Sequence, residues 1–120
     1  MNIDPGDFPW QAMAEAMPVP LIISRLSDGL VMYANLHFHH LLGQPPETLM
    51  GRTATAYCEN LDERRDLIVL LEHDGSVQNT VLNLRRQDGS RVSVKAAAQA
   101  ALMDGEPAMI AVVIDTKEML

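Results

Sequence analysis

Three histidines cluster in the first third of the chain, His37, His39 and His40. On a helix His37 and His40 share a face at i, i+3, a spacing that can hold a metal ion, while His39 points elsewhere. A metal site needs further ligands, and the sequence places none, so no metal site is assigned. The plainer reading is polar side chains on a partly exposed helix, with an inward His37 as a pocket donor or pH-responsive group as the alternative. Cys58 is the lone cysteine. It has no internal disulfide partner, reads as a small half-buried thiol, and points to a reducing, cytoplasmic compartment. Asp62 and Glu63 are adjacent carboxylates, but neighbours on a helix face different ways, so they read as charges favoured near a helix N-terminus. The chain holds no glycine-rich phosphate loop, no HExxH and no GxSxG. Without such a constellation the reading is not an enzyme.

These residues sit in a chain of 120 residues, the size of one domain with a usable core. Hydrophobic residues make up 48% and charged residues 21%, which places it among soluble globular proteins. The formal net charge of −7 argues against nucleic acid and against anionic membrane surfaces, both of which call for a basic face. Met1 to Asp7 carries two acids and no base, unlike the start of a signal peptide. The longest apolar run, Ala108 to Ile114, is far too short to span a bilayer.

The elements that position the candidate residues follow from periodicity and turn chemistry. Pro9 to Met17 is predicted as a short helix, with Trp10, Met13 and Met17 forming one apolar stripe before Pro18 and Pro20 end it. Leu21 to Leu26 and Leu30 to Ala34 read as a hairpin about Ser27-Asp28-Gly29. Leu36 to Leu42 reads as a helix stopped by Gly43, and Glu47 to Met50 as one further helical turn. A longer helix is expected from Leu61 to Glu72. Asn60 and Glu63 suggest a capping box, Leu67, Ile68 and Leu71 the buried stripe, and Arg64, Arg65 and Asp66 the solvent side. Val77 to Arg86 and Arg91 to Leu102 flank Gln87-Asp88-Gly89-Ser90, a strong hairpin signal, and Ala108 to Ile114 closes the set. Strands at both ends with helices between them imply one antiparallel sheet with helices over a face, an α+β fold. The last strand is apolar on both faces, so something covers its outer side: the Trp10/Met13/Met17 stripe, a partner subunit, or both.

The run Asn35-Leu36-His37-Phe38-His39-His40-Leu41-Leu42-Gly43 resembles the PAS-domain pattern N-x-A-F-x-x-L-L-G. Pro46-Glu47-Thr48-Leu49-Met50-Gly51-Arg52 is similar to that family's x-E-L-I-G-K segment, Gln87 to Ser90 to its R-x-D-G-S hairpin, and Ile114 to Glu118 to its D-I-T-E junction with one residue missing. The motifs share the family's order from about Pro18 to Glu118. The resemblance implies a five-stranded antiparallel sheet in the order 2-1-5-4-3, with helices enclosing a pocket and an N-terminal capping helix. It divides the chain into a flanking helix over residues 1–17, a PAS domain over 18–118, and the start of a linker at 119–120.

The same resemblance implies a sensory or regulatory module of a bacterial-type signal-transduction protein, upstream of a histidine kinase, diguanylate cyclase or nucleotide cyclase effector outside this chain. It would sense a small-molecule ligand, pair with a copy of itself, or both. The expected pocket lining is Tyr33, His37, Phe38, Tyr57, Leu67 and Leu71, which could equally be plain core. The expected homodimer interface is Trp10, Met13, Met17, Ile110 and Val112. The cofactor is unknown. Flavin photoreceptors of the family carry a cysteine where this chain has Ala54, and aromatics are only 4%, so flavin is disfavoured. The long helix has no histidine before His73, which disfavours haem. The alternatives are a ligand-free homodimerisation module and, second, a small metal-binding protein using His37 and His40.

Overall fold

The structure is a computed structural model that describes residues 10–119. The elements run α1 (Trp10–Ala16), β1 (Leu21–Arg25), β2 (Val31–Ala34), α2 (Leu36–Leu41), a 3-10 turn (Ala54–Tyr57), α3 (Leu61–Asp74), β3 (Ser76–Arg85), β4 (Arg91–Met103) and β5 (Glu106–Met119). Pro9 and Leu120, which the sequence placed in the first helix and in a linker, lie outside the described residues. The five strands form one antiparallel sheet in the order β2-β1-β5-β4-β3. The two ends of the chain thus meet in one sheet, with β5 between β1 and β4.

Register decides which residues see the core. Ile22 lies opposite Ala111 and Ser24 opposite Met109, on the face turned toward α2, the 3-10 turn and α3. Leu21, Ile23 and Ala108 take the other face and pack with Ala14 of α1 and with Trp10, Ile110 and Val112. The outer side of the last strand is therefore covered from within the chain. The contact residue at the centre of α1 is Ala14, buried, whereas Met13 and Met17 of the expected stripe are 54% and 39% exposed. In β4 the period of two holds from Val92 to Ala98, where alternate residues are buried.

Several elements depart from the sequence expectation, each for a local reason. β5 does not stop at Ile114. Arg91 to Lys95 pairs with Asp115 to Met119, so backbone pairing carries the strand through a polar stretch that hydropathy reads as its end. A bulge between Lys95 and Ala96 accommodates Ile114, and Arg86 grips Glu118 through a two-pronged ion pair with a 2.6 Å contact. Glu47 to Met50 is a turn and not helical: Thr48 donates from both N–H and hydroxyl to the Pro45 carbonyl, and Glu47 takes φ +67°. The capping box at α3 is not reciprocal. Asn60 accepts from the Asp62 N–H, but the Glu63 carboxylate reaches across to the backbone N–H and side-chain amide of Asn83 on β3.

The α1 helix is pinned by polar contacts as well as packing. The Tyr33 hydroxyl donates to Glu15 at 2.6 Å, and the Leu36 N–H donates to the other carboxylate oxygen at 2.9 Å. Burial, helped by Glu15, pushes the Tyr33 phenol up to about 12, while the hydrogen bond from Tyr33 holds the Glu15 carboxyl below its ordinary value. A raised phenol contributes stability that is complete below about pH 10 and is lost as pH rises toward 12. A depressed carboxyl contributes stability present above its ordinary range and lost in acid. Tyr33→Phe should therefore remove a tyrosinate absorbance step near pH 12 and flatten the alkaline limb of the stability curve. An unchanged step in the variant would show that the Tyr33–Glu15 contact does not form.

Among the described residues no helix is long and apolar enough to cross a membrane.

Candidate ligand chamber

Between the inner face of the sheet and its helical roof lies a cavity of about 60 Å³. Its floor is Ile22 and Ser24 of β1, Leu82 and Leu84 of β3, Val94 and Ala96 of β4, and Met109, Ala111 and Val113 of β5. Phe38 of α2, Ala54 and Tyr57 of the 3-10 turn, Cys58, and Arg64 and Leu67 of α3 close it. Small residues at Ala96 and Ala111 sit where larger ones would fill the space, so the alanine-rich centre of the sheet leaves room beneath the helices.

The walls are mostly hydrocarbon, and Ser24, Tyr57, Cys58 and Arg64 are the lining residues with polar side-chain atoms. Ser24 is 1% exposed and Arg64 is 9% exposed. The Ser24 Oγ and the Arg64 Nη2 are both buried without a hydrogen-bond partner. Buried polar groups are ordinarily paired, and both of these residues line the cavity. Arg64 also has no salt bridge among the described residues. The sequence reading turned Arg64 toward solvent because of its charge. Helix geometry overrides that: residues 64, 67 and 71 fall at i, i+3 and i+7, so Arg64 continues the buried stripe of Leu67 and Leu71. Ile68, expected in that stripe, is only half-buried. Gly29, at φ +76°, lets β1–β2 pass over the guanidinium: a Cβ there would lie 3.3 Å from Nη2.

The residues expected at a pocket divide three ways. Phe38, Tyr57 and Leu67 line the cavity. Leu71 is buried next to it, packed with Ala98, Met109 and Ala111. Tyr33 and His37 lie elsewhere. Ile23 pairs with Tyr33, which puts the phenol on the outer face against Trp10, ring centroids 5.7 Å apart and nearly perpendicular. His37 is exposed, and the inward histidine of α2 is His39, 1% exposed. The His39 Nε2 accepts from the Leu49 N–H at 3.2 Å, so its Nδ1 carries the proton and donates to the Asn35 carbonyl at 2.9 Å. That pairing fixes the turn over Leu49 and faces away from the cavity lining. His37 and His40 are both exposed, and among the described residues no three His, Cys, Asp or Glu side chains gather as a metal site would need. Cys58 borders the cavity, and burial pushes its thiol up, away from the reactive thiolate.

Of the expected interface residues, Trp10, Ile110 and Val112 pack within the chain around Ala14, while Met13 and Met17 face solvent. Sequence reasoning missed Ser24, Arg64 and the 3-10 turn at Ala54–Tyr57. The spacing of Arg64 to Leu67 was the signal available for one of them.

A five-stranded 2-1-5-4-3 sheet, roofed on one face over a small cavity, defines a small α+β domain. The chain belongs to the PAS fold family, which matches it over residues 10–116. PAS domains are sensory modules of signalling proteins. The fold is shared with solved structures at low identity. The PAS domain of an HTR-like protein from Haloarcula marismortui is 18% identical, with 92% of this chain and 88% of that one covered and a TM-score of 0.66. The PAS domain of nitrogen regulation protein NR(II) from Vibrio parahaemolyticus is 12% identical over 93% and 99%, with a TM-score of 0.70. A LOV protein from Rhodobacter sphaeroides is 16% identical over 87% and 62%, with a TM-score of 0.72. None of the curated proteins compared matches the chain.

Proposed function

We propose that this PAS domain is the cytoplasmic input module of a larger signalling protein and that it senses a small molecule held in the chamber under α3. The observation that carries this is the pair of orphaned polar atoms, Ser24 Oγ and Arg64 Nη2, on residues of a cavity lined mostly by hydrocarbon. A pocket of mostly apolar walls with a few converging polar groups is the usual form of a small-molecule site. A space of about 60 Å³ is well below what a flavin or haem occupies, which favours a small metabolite over a large cofactor. Ligand entry would act on the chamber floor, which includes Met109, Ala111 and Val113 of β5. The same strand continues to Met119, and an effector of histidine kinase, diguanylate cyclase or nucleotide cyclase type would read its position. Such a ligand shifts the output only by its difference in affinity for the two states.

The test is a thermal-shift and NMR screen of the purified domain against small polar and apolar compounds. Binders are expected to move resonances of Ala96, Ala111 and Leu67 together, and Leu67→Trp, which fills the chamber, to abolish the response. A screen with no chamber binder would remove the sensing reading.

A second reading, homodimerisation, is favoured by Met13 and Met17, large apolar side chains left facing solvent on α1. Light scattering is expected to give twice the chain mass for the wild type and the monomer mass for the Met13→Glu, Met17→Glu double variant. A wild type that is monomeric at the outset eliminates the interface.

A further inference from the structure

We infer that the chamber is selective for a short-chain monocarboxylate, anchored by Arg64 and Ser24. This rests on the chamber being a ligand site and adds its chemical class.

Arg64 is permanently cationic, nine-tenths buried, and has no carboxylate partner among the described residues of a chain that carries a net charge of −7. Acidic side chains are plentiful, yet the ion pairs of this chain form on the surface and leave the buried guanidinium without one. A buried cation calls for an anion, and the planar guanidinium fork matches a carboxylate. The Ser24 hydroxyl, orphaned on the same chamber, supplies a further donor. The remaining walls then set the rest of the molecule. Apart from Tyr57 and Cys58 these are hydrocarbon, Leu84, Val94, Met109 and Val113 among them, and none carries a second cation, which disfavours dicarboxylates and inorganic phosphate. Size sets the length. The space is about 60 Å³, which keeps the hydrocarbon tail short. Acetate, propionate and butyrate are short acids of this class, and the hydrocarbon walls select for the tail.

The experiment titrates the unmodified, isotope-labelled domain with sodium butyrate, with n-butyramide, and with sodium chloride at matched ionic strength. Butyrate is expected to shift the Ser24 amide and the Arg64 side-chain resonances saturably, with butyramide and chloride doing so at least tenfold more weakly. Arg64→Met should weaken butyrate by about ten- to a hundredfold, the range for one charge-assisted contact, while Ser24→Ala weakens it severalfold. Far-UV circular dichroism confirms that both variants are folded, and the comparison of acid with amide on the native protein depends on neither. Equal responses to butyrate and butyramide would overturn the carboxylate assignment while leaving a chamber ligand in place. A response reproduced by chloride would assign the site to any small anion and overturn it likewise. If none of the three binds and the wider screen also finds nothing, the sensing reading falls with it.

Discussion

Asn35→Asp is expected to lower the stability of the domain by about 3–5 kcal/mol, a large share of what holds a domain of this size, although the two side chains have the same shape. Asn35 is fully buried and uses every valence of its amide. Its Oδ1 accepts from the Leu21 N–H and the Phe38 N–H, both at 3.0 Å, and its Nδ2 donates to the Ala14 carbonyl at 3.0 Å and the Val19 carbonyl at 2.9 Å. Two N–H groups on one side and two carbonyls on the other fix the orientation of the amide. One side chain therefore ties α1, the segment after it, the start of β1 and the first turn of α2. An aspartate keeps the acceptor side but turns two donors into an oxygen facing two carbonyl oxygens. Ionised, it is a buried carboxylate with repulsive neighbours; protonated, it satisfies one carbonyl and orphans the other. Asn35→Ala removes the repulsion and leaves three or four unpaired backbone groups, so a smaller loss of about 2–4 kcal/mol is expected. Urea titration gives both values from the midpoint at constant slope. If Asn35→Asp costs less than alanine, the donor side of this network is not formed as described.

Asn35 also shows what the sequence discloses and what it does not. It was legible as the first residue of a nine-residue motif, and the family resemblance carried by that motif and its companions implied the sheet order, which the residue pattern alone did not. Gly29 and Gly89 take φ +76° and +87°, as their turns require, so the hairpins could be read locally. The Leu67 and Leu71 stripe was legible because a fourteen-residue helix repeats its pattern several times. Other features depend on partners distant in the chain. Which face of β2 holds Tyr33 is set by the register with Ile23 and a bulge before Ser24, and a four-residue strand is too short to declare its faces. Likewise α2 has six residues, fewer than two turns, so the choice between an inward His37 and an inward His39 waits on the Leu49 N–H that receives the ring. The polar tail of β5 is a strand only because Arg91 to Lys95 lies beside it. Arg64 was misplaced for a different reason: charge was allowed to outvote helical phase, which is sound for most surface arginines and fails here, where Arg64 shares the buried face of Leu67 and Leu71.

That exception leads to the second large effect. Arg64→Met is expected to make the ligand-free domain more stable, by about 1–3 kcal/mol, while removing its response to a carboxylate. Arginine and methionine are close in helix propensity, so α3 itself is indifferent to the exchange. The thioether chain can follow the aliphatic part of the arginine over Leu67 and end among the apolar walls of the chamber, where it needs no partner. What disappears is a buried arginine whose Nη2 has no hydrogen-bond partner, beside a glycine that leaves it only just enough room. For a domain of this length each kcal/mol moves the melting temperature by about 3–6 °C, so calorimetry in carboxylate-free buffer resolves the change. Arg64→Ala provides the control: it removes the same charge but empties the space, and should fall below methionine by the cost of the void. A methionine variant less stable than the wild type would mean that the cation is already compensated inside the chain, and the reason to look for an anion would go with it. If methionine stabilises, the wild-type residue is being kept at a cost to folding that packing does not require. A free energy held in that form is available only to a ligand that cancels the charge, which is the differential affinity a sensor needs to move from one state to another.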